Sequence, residues 1–201
     1  MPYDSVRKFE ETIADYCGSK YAVSVSSCTN AIFLSLLYSK ITENFHGIYI
    51  PKQTYIGVAT SIKNAGMEVW FNDFRWYGWY ILFPTNVVDS ALCFKKDMHT
   101  KGFMECLSFH NRKHIPIGRG GMILLDDPDA YKWLKKARYD GREECGLKDQ
   151  KEFNICGYNM YMTPEQASRG LVLFNNIKDK HLPALDDYDT YPDLSRMEIF
   201  K

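Results

Sequence analysis

The 201-residue chain lacks an excess of either charge, with 25 Lys and Arg against 25 Asp and Glu. A general phosphate-backbone binder carries a basic surplus or stripe, so nucleic acid is excluded as a first partner. The chain also lacks any run approaching the ~20 apolar residues that span a bilayer. Met1 to Glu10 lacks the basic-then-apolar order of a signal peptide. A cytoplasmic chain without membrane contact is expected. Short paired cysteine spacings are missing too: Cys17, Cys28, Cys93, Cys106, Cys145 and Cys156 are scattered, which fits reduced thiols better than a bridge framework. There is no internal repeat and no low-complexity linker. What is present, 45% hydrophobic and 15% aromatic residues, suffices at this length for a core that needs no disulfide staples.

Apolar periodicity divides the chain into alternating elements. Asp4 and Ser5 offer N-cap oxygens to a helix carrying Val6, Phe9, Ile13 and Tyr16 on one face, and Gly18 closes it. Tyr21 to Val25 reads as a strand, Ser26 to Thr29 as a polar turn, and Ala31 to Tyr38 as a helix. Ile48 to Ile50 is a strand, Ile56 to Ala65 a helix stopped by Gly66, and Glu68 to Phe71 the next strand. Strands follow at Asn86 to Asp89, Glu105 to Phe109 and Met122 to Leu125. Helices at Pro128 to Arg138 and Pro164 to Ile177 both open with proline. This alternation predicts an α/β sheet with helices on its faces. Two stretches have no clean period: the aromatic crowd of Trp70, Trp76, Tyr77, Trp79 and Tyr80, and the acidic, tyrosine-rich end from Leu182 to Lys201. The first reads as a packing cluster or as a wall of a pocket or subunit interface, the second as a loosely packed tail.

Three polar turns stand at strand ends: Ser27-Cys28-Thr29, Asp89, and Ser108 to Lys113. In open α/β sheets ligands collect where strands end and helices begin. Hydroxyls and free amides at a helix start suit a phosphate, although a lone Ser-x-Thr is weak evidence because N-cap hydroxyls serve purely structural ends far more often. Cys106, His110 and His114 recur at four-residue intervals, which on a helix would form a metal face. The Ile-Pro-Ile-Gly-Arg-Gly-Gly that follows breaks a helix and no complementary ligand cluster appears elsewhere, so no metal site is expected.

The order of these segments resembles the DegT/DnrJ/EryC1/StrS family of sugar aminotransferases that use pyridoxal 5′-phosphate (PLP). The likeness is carried by Phe9-Glu10 to Gly18 with Tyr21-Ala22-Val23, by Ser27-Cys28-Thr29-Asn30-Ala31, by Pro51 to Tyr55 and by Val88-Asp89-Ser90-Ala91. It continues through Ser108-Phe109-His110-Asn111-Arg112-Lys113 with Gly118 to Gly121, and through Gly157 to Met162 with Glu165-Gln166-Ala167. The resemblance implies a three-layer α/β/α sandwich with a mostly parallel central sheet, the truncated large domain of fold-type I aminotransferases. Residues 1–178 would form the PLP-binding domain and residues 179–201 a tail in place of the usual small domain. It implies that Lys113 carries PLP as an aldimine and shuttles a proton, and that Asp89 pairs with the protonated pyridine nitrogen. Ser27, Cys28, Thr29 and Ser108 would surround the phosphate, Tyr55 would stack on the ring, and Ala91 would complete the pocket. Asn159 would reach the phosphate bound in the neighbouring subunit of a homodimer. The implied reaction moves an amino group from an amino acid, glutamate in the usual case, to a keto sugar that is nucleotide-linked in the family. Arg112, Arg119 and Arg138 are the candidates for the donor carboxylate.

The departures from the family pattern bear on that reading. Cys28 stands where a glycine is usual, and Leu92 where members carry Gln or His. Only fifteen residues separate Asp73 from Asp89, where members insert a longer strand-helix-strand passage, and members continue past the equivalent of Lys201 into a C-terminal domain. A catalytically reduced PLP-fold binding or regulatory protein is favoured by the shortened body and Leu92, and opposed by Lys113 and Asp89. A PLP enzyme of another reaction type, such as a sugar dehydratase, is opposed by Lys113, since some relatives of that kind carry histidine there.

Overall fold

Alternating strand residues send their side chains to opposite faces, and in this chain both faces are apolar. The computed structural model describes residues 3–201. Five helices, α1 Asp4–Cys17, α2 Cys28–Thr42, α3 Ile56–Asn64, α4 Pro128–Ala137 and α5 Pro164–Asn175, surround seven strands. The strands are β1 Tyr21–Val25, β2 Gly47–Pro51, β3 Glu68–Asn72, β4 Tyr80–Ile81, β5 Val87–Asp89, β6 Met104–Ser108 and β7 Gly121–Leu125. Ala22, Leu107, Met122 and Leu124 face a core built with α1 and α5. Val23, Val25, Cys106, Ile123 and Leu125 face a second core with α2, α3 and α4. These are the helix, sheet and helix layers that the patterning predicted.

Strand directions differ from the expectation. The main sheet runs β1-β7-β6-β5-β4, and β2 with β3 forms a separate parallel pair. Within the main sheet only β5 and β6 are parallel; β7 is antiparallel to both β1 and β6, and β4 is antiparallel to β5. The mostly parallel sheet therefore gives way to a mixed one. The cause lies in the connections. β6 returns as β7 through a loop with no crossover helix, and the short passage before β5 turns back on itself at Leu82, whose amide bonds the Val87 carbonyl. Two antiparallel steps, β6 to β7 and β7 to β1, restore a common direction, so β1, β5 and β6 all end at one edge. A single antiparallel bridge from Tyr49 to Phe83 ties β2 to the far side of the sheet.

Two smaller expectations also change. The first helix is preceded by Tyr3 with no side-chain cap, and Asp4 lies inside its first turn. Of the expected stripe, Val6, Phe9 and Ile13 are buried, Tyr16 is only half-buried and Cys17 fills the last buried place; Gly18 closes the helix at φ +83°, where a side chain would be strained. The last stretch is not a loose tail. It forms three short 3₁₀ turns, buries Tyr188 and Leu194 in the main core, and bonds the Leu194 amide to the Lys52 carbonyl. Its lack of period reflects pinning by side chains from distant parts of the chain, which leaves no mark on local spacing.

Candidate active site

Ser27, Asp89 and Ser108 each occupy the end of one of the three co-directed strands, and they line a single cavity of about 250 Å³. Cys28, Thr29, Tyr55, Ala91 and Lys113 line it as well. Eight of the nine expected site residues, drawn from four separate segments, thus converge on one hollow. Its floor is the start of α2. Ser27 caps that helix, its hydroxyl accepting from the Asn30 amide at 3.1 Å, so the intrahelical ladder begins beyond Cys28 and Thr29 and the positive end of a 15-residue helix opens on the cavity. Gly121 makes this turn possible. A Cβ there would stand 2.5 Å from the Cys28 amide nitrogen, so the start of β7 presses directly on the turn. The Cys28 side chain, the departure expected to crowd a phosphate, bonds through its thiol to the Cys106 carbonyl in the sheet at 3.5 Å. Burial pushes that thiol well up, so it stays neutral.

Asp89 is held from two sides. The Ala91 amide donates to Oδ1 at 2.9 Å and the Tyr80 hydroxyl to Oδ2 at 3.1 Å. Since Tyr80 spends its proton on Asp89, the Thr54 hydroxyl donates to Tyr80, at 2.6 Å. Burial raises the affinity of Asp89 for a proton, and the two donors and Lys113 oppose it. Lys113 shows the opposite response: burial pulls its pKa down, while Asp187 and then Asp89 support its charge. An amine so placed has a larger neutral, nucleophilic fraction than a solvated lysine. Its loop is firmly seated. The Lys113 amide bonds the His110 carbonyl, Phe109 exchanges backbone bonds with Gly118 and Gly120, and Phe109, Ile115 and Ile117 are buried against α1 and α5.

The ninth residue, Asn159, lies outside this cavity in its own chain. It is exposed and donates to Asp140 at 3.2 Å. Among the arginines, Arg112 and Arg119 line the cavity, whereas Arg138 is fully buried elsewhere with Glu10, Ser24 and Glu144, so its charge is already committed. Cys106 is a core strand residue and His110 and His114 lie in the loop after it, so their four-residue spacing does not fall on a helix. The residues that sequence reasoning did not reach are Thr54, Tyr80, Asp187 and Tyr191. Tyr80 lay hidden in the aromatic crowd, and its place at the start of β4 is set by a two-residue strand that periodicity does not reveal.

The family model of the "DegT/DnrJ/EryC1/StrS aminotransferase family" matches residues 1–83 and 93–191. The chain belongs to that family. The chain is 26% identical over 212 residues to an uncharacterised protein of Methanocaldococcus jannaschii, covering 82% of this chain and 55% of that one. It is 24% identical over 219 residues to the GDP-perosamine synthase of Caulobacter vibrioides, covering 88% and 58%. A sugar aminotransferase of Micromonospora echinospora has a similar structure, with a TM-score of 0.74 at 16% identity over 88% of this chain and 61% of that one. That last likeness establishes the fold. This family member spans somewhat more than half the length of the curated relatives it matches. Residues 84–92, which fall between the two matched stretches, cover the turn before β5 and the Asp89 strand end itself.

Proposed function

We propose that this chain is a PLP-dependent aminotransferase acting on a keto sugar. The observation that carries the reading is the convergence of Lys113, Asp89 and the α2 start in one cavity. The donor set fits the cofactor chemically: a helix N-terminus with two hydroxyls for a dianionic phosphate, a buried carboxylate for a pyridinium, and an amine of lowered proton affinity. PLP, when bound, supplies an electron-poor ring that stabilises negative charge on the substrate carbon.

The residues of the chain do the rest. The Cys28 and Thr29 amides with the Thr29 and Ser108 hydroxyls bind the phosphate, as a helix start binds anions. Asp89, oriented by Tyr80 and the Ala91 amide, holds the proton on the pyridine nitrogen. Lys113 is the attachment point and carries the proton to and from the substrate carbon. Tyr55, more than half exposed at the start of α3, covers one face of the ring. A Cβ on Gly57 would meet both Tyr55 and the Thr29 hydroxyl, so the ring and the phosphate turn are packed together. Arg112 and Arg119 are the cations at hand for the carboxylate of an amino-acid donor. Asn159 of the partner subunit would complete the phosphate site in a homodimer. Retention of Lys113 and of a buried, hydrogen-bonded Asp89 favours transamination over a binding-only role.

The test is incubation with PLP followed by borohydride and peptide mapping. A visible chromophore fixed to Lys113 is expected. Lys113→Ala should abolish the fixed label and slow the half-reaction with glutamate by about 10²–10⁴-fold, and Asp89→Asn should keep weak cofactor binding while losing orders of magnitude in the same step. A label on another lysine, or none, overturns the reading.

A further inference from the structure

Lys113 is surrounded by charge on more than the cofactor side. Asp89 and the Cys28 thiol face it from the sheet and α2, and Arg112 precedes it in the loop. A further group comes from the segment after α5. Asp187 Oδ2 lies 3.9 Å from Lys113 Nζ, and Oδ1 lies 3.7 Å from Arg112 Nη2. The two side chains of the lysine pair keep only 12% and 22% of their exposure, so water screens them far less than a surface pair.

Asp187 is delivered by a built support. Arg75 donates to Asp186 on one side of it at 3.0 Å and to Asp189 on the other at 2.9 Å. The Leu185 amide bonds the Leu92 carbonyl at 2.8 Å, and the Tyr77 hydroxyl bonds the Ala184 carbonyl at 2.6 Å. Beyond it, Tyr191 stacks on Trp76 with ring centres 6.1 Å apart, and both rings line the cavity. Arg75, Trp76 and Tyr77 lie in the short passage between Asp73 and Asp89, and Leu92 lies three residues beyond it. None of the roles assigned above to the cofactor site uses Asp187.

We propose that Asp187 is a positioning residue for Lys113, a carboxylate supplied by the segment after α5 that draws the amine to the cavity wall and favours its charged form without fixing it there, with Arg75 as the clamp that seats it. Its functional meaning rests on the reading of Lys113 as the reactive amine. Burial draws the proton affinity of Lys113 down and Asp187 is the foremost group opposing it, ahead of Asp89. Neutralising Asp187 therefore frees the amine at lower pH. The segment thus sets how readily the lysine sheds its proton.

The full chain, without added cofactor, is labelled with trace acetic anhydride between pH 6 and 10, and the Lys113 peptide is quantified against the peptide carrying exposed Lys101. In Asp187→Asn the Lys113 rate at pH 7.5 should rise about five- to tenfold and its midpoint should move to lower pH. Asp187→Glu should restore the original profile, and Arg75→Ala should fall between. Superimposable profiles for Asp187→Asn and the parent, in proteins of equal circular dichroism and melting temperature, overturn the proposal. Should Asp187→Asn not fold, an unchanged rate in Arg75→Ala overturns it instead. Borohydride trapping with PLP separates the two readings. A trapped parent with unshifted labelling removes Asp187 alone, and shifted labelling without trapping removes the cofactor reading alone.

Discussion

The cavity is walled by two regions built in different ways. Ser27, Asp89 and Ser108 stand at the ends of strands whose positions follow from continuous backbone ladders and from two apolar faces. Residues 183–191 reach the same cavity with no ladder at all, held by one arginine fork, a few backbone bonds, a pair of stacked rings and the buried Tyr188. The first wall is as rigid as the sheet, because moving one residue breaks its neighbours' bonds. The second can be released by losing a few side chains. The proposed catalytic groups on the first and the proposed electrostatic partner on the second would suit a site where chemistry must be fixed and protonation tuned.

Substitutions at Arg138, Leu194 and His99 probe that contrast. The largest effect is expected at the buried ion pair behind β1, where Arg138 bonds Glu10, the Ser24 carbonyl and hydroxyl, and Glu144 Oε1 at 2.7 Å. Arg138→Ala leaves Glu10 buried without its main counter-charge and should cost about 3–5 kcal/mol in urea unfolding. Arg138→Met combined with Glu10→Leu should recover most of that loss. If the single substitution costs under 1 kcal/mol, the first wall is less rigid than its ladders suggest. Next comes Leu194→Ala, a fully buried anchor of the second wall. It should lower the opening free energy of residues 185–200 by about 2–4 kcal/mol, read by hydrogen exchange, while amides of β1 and β7 keep their protection. Equal loss of protection in both regions would merge the two walls into one cooperative unit.

The smallest effect concerns pH. His99 lies between Glu105 at 3.1 Å and Asp126 at 3.0 Å, joining the loop after β5 to β6 and to the end of β7. Burial alone would lower its pKa, but hydrogen bonds to the two carboxylates outweigh burial and raise it. The resulting stabilisation is full below the unfolded value of about 6.5 and is lost as pH rises through the higher folded value. Chemical denaturation from pH 6 to 9 should show stability falling in that window, and His99→Gln should flatten the slope. A slope that survives in His99→Gln would assign it to another group.

The first wall was legible in the sequence and the second was not, for physical reasons. Apolar periodicity reports burial on one face of an element, so α1, β1, α3, β6 and β7 could be placed within a residue or two. It does not report strand direction. The absence of helical period between Ser108 and Gly121 was the available sign that β7 returns antiparallel. The roles of Asp89 and Lys113 came from family likeness, because a lone strand-end acid or loop lysine has no distinguishing pattern, and the structure added that both line one cavity. Arg138 was offered for substrate and proved internal, since its partner Glu10 is more than a hundred residues away. Asp187 was invisible for the same reason: its meaning lies in Lys113, Arg112 and the flanking grip of Arg75, none of them near in sequence.

The pairing of β1 with β7 has a consequence in time. Tyr21 meets Leu125 and Val25 meets Gly121 across roughly a hundred residues of chain, the kind of distant closure that slows folding. The turn at Ser27 to Thr29 is made early in synthesis, yet the backbone that presses against it arrives with Gly121, after Asp89, Ser108 and Lys113. The α2 start and the Lys113 loop are therefore brought together by one late closure, and if they bind a phosphate as proposed, that ability should emerge in refolding together with the slowest sheet signal rather than with the helices.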